Sequence, residues 1–340
     1  MATYYAKHNA GGGGVGSFAD PFTLQELLDN TDAGDLGLVC NTGNYTPNVT
    51  IDVDNASACT LSNLAVIRGA NADGSDDGTI ATISGASLGG GDDLFDFNVA
   101  GLSIKFEGLR ITGATQYNIN LNTALNVASI SFYRCRIDSA TSHGIYNQES
   151  TAQFIAMFVN CEIDTNGGCG IASAGLGRGG AILINCAVHD NASDGIQDTQ
   201  AHSKSEFIAT LIYDNGGHGI NLSNDSYGIT VRNCVFFANT SNGINFDDSA
   251  NTGQLIALNN IFRSNGGYGI DTNGGASGQF VLCDYNCFSN NTSGPMDIAT
   301  LGSNNVLADP LFTDETDGAE DFTLQAGSPC KNTGLDPYGY

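Results

Sequence analysis

Apolar residues recur in fixed columns along the second half of this chain. Gly-Ile pairs begin at Gly144, Gly170, Gly195, Gly219, Gly243 and Gly269, in steps of 26, 25, 24, 24 and 26 residues. The isoleucines form one column: Ile145, Ile171, Ile196, Ile220, Ile244 and Ile270. Seven residues before each Gly stands Ile137, Ile163, Val188, Ile212, Phe236 or Phe262. Nine before it stands Cys135, Cys161, Cys186, Thr210, Cys234 or Asn260. Four before it stands Ala140, then Asn166, Asn191, Asn215, Asn239 and Asn265. Apolar residues two apart fit an extended strand with one buried face, and no helical spacing recurs. A fixed period of this length means stacked supersecondary units.

These columns predict an all-β solenoid of short parallel strands, with coils about 4.8 Å apart. The Ile column becomes a core stack. The Asn column becomes a ladder at a tight turn, each amide bonded to the next coil, with Asn tolerating left-handed backbone there. Proline agrees: Pro21, Pro47, Pro295, Pro310, Pro329 and Pro337 all fall outside residues 48–294. A proline inside would remove a ladder donor. Residues from about 100 to 295 resemble the right-handed parallel β-helix superfamily, the pectate-lyase-like fold. The resemblance implies a single-stranded right-handed β-helix. It does not imply one activity, because the superfamily includes lyases, hydrolases, adhesins and phage tailspikes.

The ends lack the repeat. Residues 1–20 read as an N-terminal arm with the glycine-rich stretch "KHNAGGGGVG", an attachment segment or a loop. Residues 21–306 read as the β-helix, opened by a capping helix at about 21–30 with Thr23 and Glu26 as a capping box and Leu24, Leu27 and Leu28 as its apolar face. That helix would plug the open end of the core. Residues 307–340 resemble the closing segment common in the superfamily. Early coils are less regular, with strands expected within 64–71, 81–85, 94–101 and 109–119.

A net charge of −25, with eleven Lys and Arg scattered singly, excludes nucleic acid as a partner and disfavours an acidic polysaccharide. No stretch is apolar enough for a membrane span, and the N-terminus has no signal-peptide pattern. The cysteine column is expected to hold reduced core thiols, with Cys161, Cys186 and Cys234 unbridged. A zinc site at Cys283 and Cys287 is not expected, since no other ligands lie near in sequence.

Candidate chemistry starts at Gly217-His218-Gly219, which resembles a motif of enzymes that cut acidic polysaccharides. The slot before the repeat Gly holds His143, Cys169, Asp194, His218, Asn242 and Tyr268, so it reads as outward and weakly constrained. On that ground the repeat accounts for His218, and no catalytic residue is assigned. Were the chain an enzyme, the candidates would be His218, Asp194 and Asp248. The Asn-Thr-Asp and basic motifs that accompany Gly-His-Gly in polygalacturonase-like hydrolases are missing. Calcium is the one cofactor with a candidate loop, at Asp73, Ser75 and Asp77, and it lacks the Glu of an EF-hand.

The favoured expectation is a non-enzymatic structural protein of a phage virion, a capsid decoration or tailspike-like fibre. It would assemble in the host cytoplasm and present a rigid acidic surface. Its partners would be capsid or tail proteins and a host surface glycan, with a homo-oligomer such as a trimer compatible with the rod. The alternative is a polysaccharide lyase or glycoside hydrolase acting on a surface or cell-wall glycan.

Overall fold

The computed structural model describes residues 1–340 except 54–63, 77, 99–100, 102, 123–128, 149–154, 175–179, 200–203, 224–227, 248–252, 274–279, 298–300 and 336–340. The chain winds into a right-handed parallel β-helix of three sheets. Sheet 1 has eleven strands, running from Thr3–Ala6 to Phe280–Asp284. Sheet 2 has nine, from Ala81–Ser84 to Cys287–Ser289, and sheet 3 has ten, from Ile51–Val53 to Gly294–Met296. One coil is represented by Ile155–Val159, Glu162–Asp164 and Ile171–Ser173, one strand per sheet.

Register explains the columns. Ile145 pairs with Ile171, then Ile196, Ile220, Ile244 and Ile270, all buried in sheet 3. Sheet 2 stacks Ile137, Ile163, Val188, Ile212, Phe236 and Phe262 in the same way. The rings of Phe236, Phe262 and Phe288 lie nearly parallel, with centroids 4.7 and 4.9 Å apart. Sheet 1 supplies the third inner column, with Phe106, Phe132 and Phe158 stacked at 5.3 and 5.2 Å.

The Asn column is a continuous row. Asn166 Nδ2 donates to Asn191 Oδ1 at 2.9 Å, and Asn191, Asn215, Asn239 and Asn265 repeat the bond to the next coil at 3.0, 2.9, 3.0 and 2.8 Å, ending on Asn291. Each backbone amide joins in: Asn215 N donates to Asn239 Oδ1 at 3.3 Å. The left-handed residue of this turn is the one before each Asn, not the Asn. Thr165, Asp190, Asp214, Ala238 and Ser264 have φ of 53, 54, 50, 50 and 57°. A β-branched Thr or an Ala there costs about 1 kcal/mol or more, so the side-chain row and coil stacking over-determine the turn.

The column of Cys135, Cys161, Cys186, Thr210, Cys234 and Asn260 proves to be a second hydrogen-bonded slot at the opposite corner. Cys161 and Cys186 donate from Sγ to the carbonyls of Phe132 and Phe158 at 3.3 and 3.4 Å. Thr210 Oγ1 donates to Leu183 at 3.4 Å, Cys234 Sγ to Phe207 at 3.4 Å, and Asn260 Nδ2 to Val231 at 2.9 Å. Thiol, hydroxyl and amide are interchangeable here because each supplies one donor to the same buried carbonyl.

The glycine column has a steric cause. A Cβ on Gly219 would lie 2.6 Å from the Gly243 carbonyl oxygen, and one on Gly243 would lie 2.6 Å from that of Gly269. Only a residue without a side chain lets coils approach this closely.

Within the expected N-terminal arm, residues 1–20, the first residues are part of the β-helix. Thr3–Ala6 is the outermost strand of sheet 1, paired in parallel with Leu36–Cys40. The sequence Thr-Tyr-Tyr-Ala suits a strand, and its inward Ala6 is fully buried. The glycine-rich stretch folds back on the capping helix, where Gly13 N donates to Glu26 Oε1 at 2.5 Å. The helix itself is Leu24–Asn30, with the Thr23–Glu26 capping box formed and Leu24, Leu27 and Leu28 buried.

The closing segment runs along the side of the β-helix. A hairpin of Phe312–Asp314 and Asp321–Leu324 lays Phe312, Phe322 and Leu324 over Leu211, Tyr213, Val235, Phe237 and Ile261 on the exterior of sheet 2. Arg263 anchors it through Glu315 Oε1 at 2.6 Å and Asp309 Oδ2 at 3.2 Å. Cys287 and Cys330, which stand outside the cysteine column, form a disulfide across this junction. Cys40, Cys135, Cys161, Cys169, Cys186, Cys234 and Cys283 are free and buried. Burial pushes the thiols of Cys234 and Cys283 up to about 12, so they are poor nucleophiles at neutral pH. In denaturant without reductant, Cys161, Cys186 and Cys234 should all react with a thiol reagent, and Cys287 and Cys330 only after reduction. A bridge between any two column cysteines, mapped by peptide mass, would refute the shared-donor account.

Candidate functional site

The slot before the repeat glycine is only partly outward, with Cys169, Asp194 and Asn242 buried and Tyr117, His143, His218 and Tyr268 half-buried, and it is not weakly constrained. In most coils its side chain accepts the backbone amide of the same slot one coil on. Asp93 Oδ1 takes Tyr117 N at 3.1 Å, and His143 Nδ1 takes Cys169 N at 2.9 Å. Asp194 Oδ1 takes His218 N at 2.7 Å, His218 Nδ1 takes Asn242 N at 3.1 Å, and Asn242 Oδ1 takes Tyr268 N at 2.7 Å. Aspartate, histidine and asparagine look unrelated as letters. They share one acceptor atom at a similar reach from the backbone.

This geometry fixes what His218 can do. With Nδ1 accepting an amide proton, the neutral ring carries its own proton on Nε2. Burial lowers the pKa of His218, against the opposing charges of Asp194 and Asp271, and burial lowers that of His143. Each imidazole is therefore a neutral donor at Nε2 and has no lone pair free to act as a base.

Beside this slot runs the outward row of sheet 3, which register places as Asp52, Asp96, Asn120, Tyr146, Ala172, Gln197, Asn221, Asn245 and Asp271. The two rows are cross-linked. Asp194 is 5% exposed, and its Oδ2 accepts from Asn221 Nδ2 at 2.8 Å and Gln197 Nε2 at 3.3 Å. Asn245 Nδ2 donates to Asn221 Oδ1 at 2.9 Å, and Asn242 Nδ2 to Asp271 Oδ2 at 2.9 Å. Toward the N-terminal end Asn120 Nδ2 donates to Asp93 Oδ2 at 2.8 Å. An aromatic cluster follows, with Tyr117 and Tyr146 centroids 4.4 Å apart and His143 at 5.6 and 5.4 Å from them. The result is a rigid polar ribbon interrupted at the coil of Cys169 and Ala172, with an aromatic platform before the interruption.

Two carboxylates on the ribbon are perturbed. Burial pushes Asp93 up to about 6, and the neighbouring charges of Asp96 and Asp92 add to it. Burial also raises Asp96, with Asp52 adding to it, and Asp96 Oδ1 is buried without a hydrogen-bond partner.

Of the three residues kept as enzymatic candidates, His218 and Asp194 adjoin through the slot, as wall-forming acceptors, and Asp248 lies outside the described residues. Of the calcium candidates, Asp77 also lies outside them. Asp73 Oδ1 accepts from Ser75 N at 2.9 Å and Ser75 Oγ at 2.6 Å, the bonding of a closed turn.

The fold assembles two groups that the sequence hides. Arg68, Lys105 and Arg134 are not scattered singly; they converge on Glu107 at 3.0, 3.1 and 2.9 Å, and Arg68 also pairs with Asp76. Burial opposes the Glu107 carboxylate, but the cations outweigh it and hold its pKa below the usual range. Lys105 Nζ lies 4.1 Å from the Tyr133 ring centroid. On sheet 2, Asp214 at the turn meets Asp317 and Glu320 of the closing hairpin, with ligand atoms within 4.8 Å of one another. Burial first, then the charges of Glu320, Asp190 and Asp317, push Asp214 up to about 7. Glu162, Asp164 and His189 form a similar group, but Arg136 already occupies Asp164 through bonds of 3.0 and 2.7 Å. No described helix is long and apolar enough to cross a membrane.

Comparison with known proteins bears on the fold. No curated protein matches this sequence. Among solved structures, pectate lyase Pel9A superposes with a TM-score of 0.71 at 16% identity, over 100% of this chain and 93% of that one. An alginate lyase from Paenibacillus sp. str. FPU-7 gives 0.58 at 13% identity, over 88% and 97%. The structure of XylC with xylose gives 0.56 at 10% identity, over 93% and 88%. At such identities the likeness is one of fold. Residues 117–293, more than half of the sequence, match the family described as right handed beta helix region, and the chain belongs to that family.

Proposed function

We propose that this protein binds an extended, uncharged glycan lengthwise along the exterior of sheet 3 and does not cleave it. The ribbon carries this conclusion. It offers amide, carboxylate and imidazole groups on either side of the coil of Cys169 and Ala172, locked by their own hydrogen bonds, with the rings of Tyr117 and Tyr146 on its N-terminal side. Preorganised polar groups next to aromatic surface suit a sugar chain, which has hydroxyls at its edges and apolar C–H faces. The described outward row has carboxylates at Asp52, Asp96 and Asp271 and no Lys or Arg, so an acidic polysaccharide would be repelled. The named neighbours include lyases of pectate and alginate, which supports a glycan as the ligand class. A capsid or tail partner, expected from the sequence, has no described feature that calls for it.

Hydrolysis is the second reading, favoured by Asp93. A carboxyl raised to about 6 by burial, with the charge of Asp96 adding to the shift, keeps a protonated fraction near neutral pH of the kind a general acid needs.

Titration calorimetry against soluble neutral and acidic polysaccharides separates these outcomes. Binding should be confined to a neutral glycan, and Tyr146→Ala should weaken it about tenfold, or ~1.4 kcal/mol. No reducing or unsaturated ends should appear. Failure to bind any polysaccharide would sink the proposal. Release of reducing ends that Asp93→Asn abolishes would replace it with hydrolysis.

A further inference from the structure

We infer that the exterior of sheet 1 is a pairing surface for a second copy of this chain. Its outward positions are unusual for a molecule of net charge −25. The strand Ile155–Val159 presents Met157 and Val159, and the next coil presents Ile182 and Ile184 in register. Three coils on, the pair is Ile256 and Leu258, followed by Leu282, 40% exposed, with Phe280 beside it at 53%. The charged residues across these six strands are Lys204, Glu206, Arg232 and Asp284, two of each sign, so the face is balanced. An apolar, charge-balanced strip on an otherwise acidic rod is where two copies can meet without repulsion.

The order of residues points to a copy rather than another protein. A two-fold axis lying in the interface, along the strands and between Lys204–Ile208 and Gly228–Arg232, reverses coil order and keeps position within each strand. It sets Ile182 against the partner's Ile256, and Ile184 against the partner's Leu258. It sets Met157 against the partner's Leu282. At the centre it brings Glu206 opposite the partner's Thr230, two residues from the partner's Arg232. Aliphatic residues thus meet aliphatic residues at these three positions, Val159 meets the partner's Asp284 at the edge, and Glu206 lies diagonal to the partner's Arg232. Self-complementarity of this kind is what an isologous dimer requires. The strip spans six strands of five residues, roughly 29 by 17 Å, which is at the small end for an interface and makes weak, reversible pairing the expectation.

Sedimentation equilibrium of the full chain, from micromolar to near-millimolar concentration, tests this. A monomer–dimer equilibrium is expected, weakened at least tenfold by Ile184→Asp and by Ile256→Asp. Ile80→Asp, at an exposed position outside this face, should leave it unchanged. Glu206→Arg should weaken pairing, and adding Arg232→Glu should restore it; this charge swap decides the matter if an aliphatic variant fails to fold. A monomer at every concentration, a trimer, or a dimer indifferent to Ile184→Asp and to Glu206→Arg would each overturn the inference.

Discussion

Replacing Asn215 by Leu should destabilise the fold by about 3 kcal/mol or more. Asn215 is fully buried, and Leu nearly conserves its volume, so the loss is one of hydrogen bonding. The substitution strands Asn191 N and Asn191 Nδ2, which both donate to Asn215 Oδ1, at 3.3 and 3.0 Å. It also takes a donor from the carbonyls of Val188 and Tyr213. Each buried donor left unpaired costs roughly 1–3 kcal/mol, and two are left. Asn185 gives the control: its Nδ2 donates to Asn160 Oδ1 at 2.7 Å, but the pair is exposed and water replaces it. Asn185→Asp, which removes the donor but keeps a residue that tolerates the left-handed backbone there (φ 53°), should cost less than about 0.5 kcal/mol. Urea unfolding measures both, with the midpoint moving and the slope unchanged if the transition stays cooperative. A loss below 1 kcal/mol for Asn215→Leu would mean that the row is incidental to stability.

Columns that repeat one chemistry were legible in the sequence. Ile145 to Ile270 and Asn166 to Asn265 repeat a single letter, and period alone exposes them. Columns that repeat one geometry with different chemistry were misread. His143, Asp194, His218 and Asn242 vary because only the reach of an acceptor atom is constrained, and such a reach has no single-letter signature. The same holds for Cys161, Thr210 and Asn260, read as a thiol stack with interruptions though they form one donor slot. Long-range assembly was out of reach for another reason. Arg68, Lys105, Glu107 and Arg134 come from successive coils whose connecting loops differ in length, so no spacing links them. Cys330 meets Cys287 because the tail turns back along sheet 2, and nothing local to Cys330 encodes that turn. The signal for sheet 3 as a site was present in its outward row of Asn, Gln, Tyr and Asp, but it becomes visible only once register assigns those residues to one face.

Asp214 should make stability fall as pH rises from about 4 to 7, adding to the smaller effect of Asp93, which is raised to about 6. The closing hairpin brings Asp317 and Glu320 against Asp214, with Asp190 in the preceding coil and Glu162, His189 and Tyr213 nearby. The nearby guanidinium of Arg263 is committed to Glu315 and Asp309. Asp214 has its pKa raised by burial and by these like charges to about 7 in the folded protein, against 3.8 for the free group. Below pH about 4 both states are protonated and the group contributes nothing. Between about 4 and 7 the folded state holds the extra proton, so each rise in pH favours unfolding, and above about 7 the penalty is constant. A full shift of this size would correspond to roughly 4 kcal/mol at 1.36 per unit. Asp214 is only half-buried and solvent screens its neighbours, so about 1–2 kcal/mol is expected. Asp214→Asn removes the penalty: it should stabilise the protein by that amount at pH 8 and leave it unchanged at pH 4. The gain should be concentrated in the hairpin, where hydrogen exchange at Thr313 and Thr323 would slow, because the disulfide and Arg263 hold the hairpin while like charges push it off. Equal stabilisation by Asp214→Asn at pH 4 and pH 8 would show that volume or turn geometry is responsible, not charge.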